Sequence, residues 1–107
     1  MSYARVTVVK LTEPRMGEVL EKAGRELVPI FWAEPGFVAY YIVKADEFIG
    51  LTTSVWEARE QADRSAAAAA AWIQRNIGQR AASVETHLGE IMFSASREAS
   101  GAAAPAA

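Results

Sequence analysis

The sequence predicts one α+β domain whose elements follow the order β-α-β-β-α-β. Three features carry that expectation: four short runs rich in β-branched and aromatic residues, two longer stretches with helical apolar periodicity, and chain breaks at Pro35-Gly36 and Gly78. The 107 residues fit a single domain over residues 1–94, and its core is modest, since a chain this size buries only roughly 60 to 70% of its unfolded surface.

The run from Tyr3 to Leu11 is rich in valine and threonine and too short for a buried helix, which makes it the first strand. Thr12, Glu13 and Pro14 follow as a helix start, because Thr caps well and Pro is tolerated in a first turn. At about 100° per residue, Met16, Val19, Leu20, Ala23, Leu27, Ile30 and Phe31 gather on one side, with Glu18, Glu21, Lys22 and Arg25 opposite. The pairs Glu18 with Lys22 and Glu21 with Arg25 are spaced i,i+4 on the wet face. Pro29 falls on that face near the helix end, where it bends the last turn.

Phe37 to Lys44 and Glu47 to Trp56 read as a hairpin across Ala45-Asp46. A two-residue loop sets Lys44 against Glu47, Ile42 against Ile49, Tyr40 against Leu51 and Tyr41 against Gly50; a longer loop shifts this register. The second helix runs from Ala58 to Ile77 and ends at Gly78, suited to the left-handed position after a helix. Its inward stripe reads Ala62, Ser65, Ala66, Ala69, Trp72, Ile73, Asn76 and Ile77. The alanines Ala66 to Ala71 supply helix propensity and close packing, or leave room for a ligand. Val84 to Phe93 forms the fourth strand, and residues 95–107 dissolve into Ala, Ser, Gly and Pro, an expected disordered tail.

With crossover helices this order gives a ferredoxin-like fold: a four-stranded antiparallel sheet with two helices on one face. The other face lacks a cover, and a wet face requires polar residues at every second position. Under the register above, one face carries Val38, Tyr40, Ile42, Ile49, Leu51 and Val55, the other Phe37, Ala39, Tyr41, Val43, Phe48 and Trp56. Both are apolar, so a second copy is expected to cover the face that the helices leave bare, making the protein a homodimer.

Composition excludes several classes. A net charge of -2 with 22% charged residues speaks against nucleic acid as a partner. No apolar run approaches the roughly 20 residues of a membrane span, and the first residues lack the basic and apolar regions of a signal peptide, so no membrane and a cytoplasmic address are expected. Without cysteine there is no thiolate chemistry, and one histidine alone forms no metal site, so no metal and no cofactor are expected.

The element order, Pro35-Gly36-Phe37 entering the second strand, Val55-Trp56-Glu57 leaving the third into an Ala-rich helix, and Gly89 inside the last strand are similar to the antibiotic biosynthesis monooxygenase family of the dimeric α/β-barrel superfamily. The resemblance spans roughly residues 3–94. It implies a homodimeric α/β barrel with a pocket between helices and sheet in each subunit, and an activity such as cofactor-free oxygenation of aromatic or quinol substrates. The haem-degrading branch resembles the chain less, because the second helix has no axial histidine and Thr7 stands where that branch has a strand asparagine.

Candidate site residues follow from the mixed face. Tyr41, Thr52, Ser54 and Trp56 combine small polar groups with rings and suit an aromatic ligand, so they are the expected pocket. Trp72 and Asn76, one turn apart on the second helix, are placed to overhang it and, with His87 as base if it faces inward, form the expected catalytic set. Trp72 as core packing and Asn76 as a helix-end group are the structural alternatives. The function expected is a cofactor-free monooxygenase-like protein for a small hydrophobic aromatic or quinol-type molecule, against a non-catalytic dimeric module that binds a small apolar ligand.

Overall fold

The computed structural model describes residues 2–97. β1 is Tyr3–Leu11, α1 Met16–Trp32, β2 Phe37–Lys44, β3 Ile49–Trp56, α2 Arg59–Asn76 and β4 Ala81–Glu90, with a 3₁₀ turn at Gly78–Arg80. The sheet order is β2-β3-β1-β4 and every neighbouring pair is antiparallel, the ferredoxin-like arrangement. Of the expected tail, residues 98–107 lie outside the described residues.

Along β1 the alternate residues Arg5, Thr7, Val9 and Leu11 are buried, as a strand covered on one face requires. α1 buries Met16, Ala23, Leu27 and Phe31 at helical spacing. Its start departs from expectation. The residue before the first turn is Arg15, which makes no side-chain cap, and the loop between β2 and β3 caps the helix instead. Met16 N–H donates to the Glu47 carbonyl at 2.9 Å, and Gly17 N–H donates to Glu47 Oε1 at 3.1 Å. Thr12 is drawn the other way, donating through its N–H to the Arg80 carbonyl at 2.9 Å. On the wet face Glu21 pairs with Arg25 as expected, whereas Glu18 pairs with Arg15 rather than Lys22.

The hairpin loop has four residues, 45–48, instead of two. Asp46 Oδ1 accepts the N–H groups of Phe48 at 2.7 Å and Ile49 at 2.9 Å, and the Ile49 carbonyl accepts from Ala45 and Asp46, so a closed turn replaces the first strand pairs. Tyr40 therefore stands opposite Ser54 rather than Leu51, Ile42 opposite Thr52, and Tyr41 opposite Thr53. An odd displacement exchanges which residues of the two strands share a face. An irregularity at Val38 then turns Phe37 onto the side of Trp56, with ring centroids 5.4 Å apart.

α2 buries Ala62, Ser65, Ala69 and Trp72. Gly78 is in the left-handed region at φ +55°, as expected of the residue that ends the helix. β4 corrects the expected Val84 to Phe93. It begins at Ala81, opposite Leu11, and ends at Glu90, opposite Tyr3, and just beyond it Ile91 N–H donates to the Ser2 carbonyl at 2.8 Å. Phe93 is left 93% exposed.

Candidate functional site

The strand registers divide the sheet into two faces. The helices cover Arg5, Thr7, Val9, Tyr40, Ile42, Gly50, Thr52, Ser54 and Trp56, while Val6, Val8, Tyr41, Val43, Leu51 and Val55 point away from them. Gly50 lies under α1 so closely that a Cβ there would stand 2.6 Å from Met16 Sδ. The mixed face of small polar residues is thus the one beneath the helices, with Tyr40 as its strand β2 aromatic in place of Tyr41.

Between that face and the helices lies an inner cavity of about 30 Å³, enough for a water molecule. Thr7, Tyr40 and Thr52 floor it, Leu20 and Leu27 of α1 wall it, and Trp72 of α2 closes it. Trp72 and Ile77 also line an outer cavity of about 270 Å³ that opens between the helices, where Arg15, Glu18, Lys22, Asn76 and Arg80 form the rim. A second small hollow of about 30 Å³ lies beside Phe31, Trp56 and Ser65 and reaches the surface at Ile30 and Glu34.

Arg5 is 0% exposed and bonds residues that line the two smaller spaces. Its Nε donates to Ser65 Oγ at 3.1 Å and its Nη1 to Thr7 Oγ1 at 2.8 Å and Thr52 Oγ1 at 3.4 Å, while Nη2 has no partner. The rings of Phe31 and Tyr40 face its Cζ at 5.7 and 5.9 Å. Burial pulls the Arg5 guanidinium below its ordinary pKa, opposed by the nearby Tyr40 hydroxyl. Burial likewise pushes the Tyr40 hydroxyl up, opposed by the charge of Arg5 and by hydrogen bonding with Arg5 and Thr52. Arginine nevertheless keeps its proton throughout the working pH range. Sequence reading missed Arg5, although its phase with Thr7, Val9 and Leu11 on one strand was the signal that it points inward.

The structure brings together part of the expected set. Thr52 floors the inner cavity; Ser54 is buried beneath it, accepting from Trp56 Nε1 at 2.8 Å; Trp56 lines the space beside Phe31. Trp72 is 3% exposed and donates through Nε1 to Glu26 Oε1 at 2.7 Å, which ties α2 to α1 while its ring faces both cavities. Asn76 reaches the rim, but its Nδ2 donates to the Trp72 carbonyl at 2.9 Å and so serves the helix end. Two placements are corrected. Tyr41 is 60% exposed on the bare face because it pairs opposite Thr53, three residues beyond the expected Gly50, an odd shift. His87 does not face inward: it pairs opposite Val6, out of phase with Arg5 and Thr7, and its exposed ring lies 2.8 Å from Glu85 Oε2.

Among the described residues no helix is long and apolar enough to cross a membrane, and no group of three or more His, Asp or Glu is arranged to hold a metal ion. No family model matches the sequence, and no curated protein matches it significantly. Solved structures do match. A variant of SnoaB, a cofactor-independent oxygenase from Streptomyces nogalater, is 14% identical with a TM-score of 0.64, covering 87% of this chain and 95% of its own. A candidate antibiotic biosynthesis monooxygenase from Nitrosomonas europaea is 14% identical with a TM-score of 0.70 over 86% of this chain and 91% of its own. A dimeric ferredoxin-like protein from an uncultured marine organism is 10% identical with a TM-score of 0.68 over 90% of this chain and 92% of its own. At such identities the likeness establishes the fold alone, the ferredoxin-like arrangement expected from the element order.

Proposed function

We propose that this chain is a cofactor-free monooxygenase-like protein, a cytoplasmic homodimer that acts on a small hydrophobic aromatic or quinol-type molecule. The observation that carries the reading is a pair of spaces that share Trp72: the outer cleft of about 270 Å³ between the helices has room for such a ring, and the water-sized inner cavity beside it presents the hydroxyls of Thr7, Tyr40 and Thr52. The fold shared with a cofactor-independent oxygenase supports it. Such chemistry needs a substrate that is its own reductant. An activated ring carbon becomes a carbonyl, one atom of dioxygen enters the product, and the other leaves as water. The protein's part is to orient the ring, exclude solvent and hydrogen-bond the oxygen whose electrons activate the carbon.

Oxygen uptake with a panel of anthrones and dihydroquinones tests this reading. Protein-dependent uptake on at least one member is expected, and Tyr40→Phe, which removes only the hydroxyl, should lower it on the order of 100-fold. No uptake above the uncatalysed rate across the panel would sink the enzyme. One feature favours a non-catalytic dimeric binding module instead: the inner cavity is lined by hydroxyls, an indole and aliphatic groups, with neither carboxylate nor imidazole to act as a base near neutrality.

A further inference from the structure

The ring-sized space and the hydroxyls of the proposed site stand apart. The outer cleft of about 270 Å³ has room for a ring, but Thr7, Tyr40 and Thr52 line the inner cavity, which holds no more than a water molecule. Val19, Trp72 and Ile77 line both, so these three side chains form the wall between them. Trp72 is the largest of the three.

It is also the one held by a hydrogen bond. The indole Nε1 donates to Glu26 Oε1 at 2.7 Å, and among the described residues no other side-chain hydrogen bond crosses from α2 to α1. Glu26 is exposed and takes part in none of the ion pairs among the described residues. A single charge-assisted bond at the edge of water fixes a ring, yet its net worth is small enough for it to open and close. Ala23 and Ala69, which line the inner cavity with the ring, present only methyl groups. The cleft outside is larger than the roughly 150 Å³ that takes up a benzene ring, so the indole has somewhere to go.

We infer that Trp72 is a gate and Glu26 its latch: when the bond between them opens, the indole turns into the outer cleft, and the place it leaves joins the inner cavity in one ring-sized space floored by hydroxyls. Glu26 is a positioning residue, acting through Trp72 and touching no ligand itself. The turn is a change of side-chain rotamer and needs no movement of either helix. This deepens the proposed function and rests on it for the class of ligand admitted. Since only the open form takes the ring, the latch sets the fraction of molecules competent to bind, and the apparent affinity scales with that fraction.

Fluorine NMR of the full-length protein grown on fluorotryptophan tests the gate, with 2-naphthol as the probe. Trp72→Phe assigns the resonance of the gate among those of Trp32 and Trp56. Saturating 2-naphthol should shift the Trp72 resonance more than the other two. Glu26→Ala should bind the probe about tenfold more tightly than the wild type, the worth of one hydrogen bond to a charged group. Glu26→Gln keeps an acceptor and should fall between them. Tyr40→Phe should weaken binding, because the admitted probe reaches the inner floor.

A bond that served packing alone would lower the melting temperature of Glu26→Ala and leave its affinity at or below the wild-type value, and that result would overturn the gate. So would a Trp72 resonance that the probe leaves in place, an unchanged affinity in Tyr40→Phe, or no binding by both the wild type and Glu26→Ala. Should Glu26→Ala fail to fold, the wild-type resonance and Glu26→Gln still decide. A gate that opens without oxygen uptake on the anthrone and dihydroquinone panel would remove the catalytic reading and leave this one standing; uptake with a stationary Trp72 would do the reverse.

Discussion

At the scale of single residues, two positions show how closely the helices approach the sheet. Arg5 is a basic residue in an apolar strand, and it is wholly buried beneath the helices, bonded to Ser65 and Thr7. Gly50 was read as a hairpin partner of Tyr41, and its lack of a side chain is what lets α1 settle on β3. A Cβ there would press on Met16 Sδ at 2.6 Å and on Leu20 Cδ1 at 3.2 Å, and Met16 is fully buried with nowhere to swing. Gly50→Ala should therefore destabilise the protein by about 1–3 kcal/mol, read from the midpoint of urea unfolding. An unchanged midpoint would mean that α1 sits farther from the sheet.

At the scale of elements, the turn between β2 and β3 does two jobs: it sets the hairpin register and caps α1. Thr12 and Pro14 looked like a helix start, but a cap needs only an acceptor at the first free N–H groups, and Glu47 supplies it from 30 residues away in sequence. No local pattern announces such a cap. Lys44 at 2.6 Å and the Gly17 N–H hold the Glu47 carboxyl below its ordinary value of 4.5. A carboxylate whose folded pKa is depressed adds stability above its unfolded value and loses it as pH falls through the folded one. Glu47→Gln keeps an acceptor for Gly17 and loses the charge, so its melting temperature should fall slightly at neutral pH, with a shallower acid limb than the wild type. Thermal melts between neutral and acid pH read both, and parallel curves would remove the carboxylate from the cap.

At the scale of the molecule, the bare sheet face decides assembly. Tyr41 at 60% and Val43 at 51% exposure stand with Val6, Val8, Leu51 and Val55 on the face away from the helices. An apolar face of several hundred Å², at about 25 cal/mol per Å², is a large term beside a net stability of about 5–15 kcal/mol. The proposed homodimer predicts a solution mass of twice the 11.6 kDa chain, measurable by light scattering. Val43→Glu should shift it to the monomer or reduce solubility, because a partner would have to bury the new carboxylate. A wild-type mass of a single chain would overturn the dimer.

Element order, helix faces and the breaks at Gly36 and Gly78 were legible in the sequence, because periodicity and turn chemistry act between residues close in the chain. The mixed face with Thr52, Ser54 and Trp56 was legible too, as was Trp72 on the inward side of α2. The partner aromatic on β2, the direction of His87 and the burial of Arg5 were decided only in three dimensions. Each depends on which residue lies opposite which across a strand pair, and the Asp46 turn sets Lys44 against Gly50, three residues beyond the Glu47 that the shortest loop would place there. Because side chains alternate with a period of two, that odd shift moved Tyr41 out to the bare face and brought Tyr40 over Arg5.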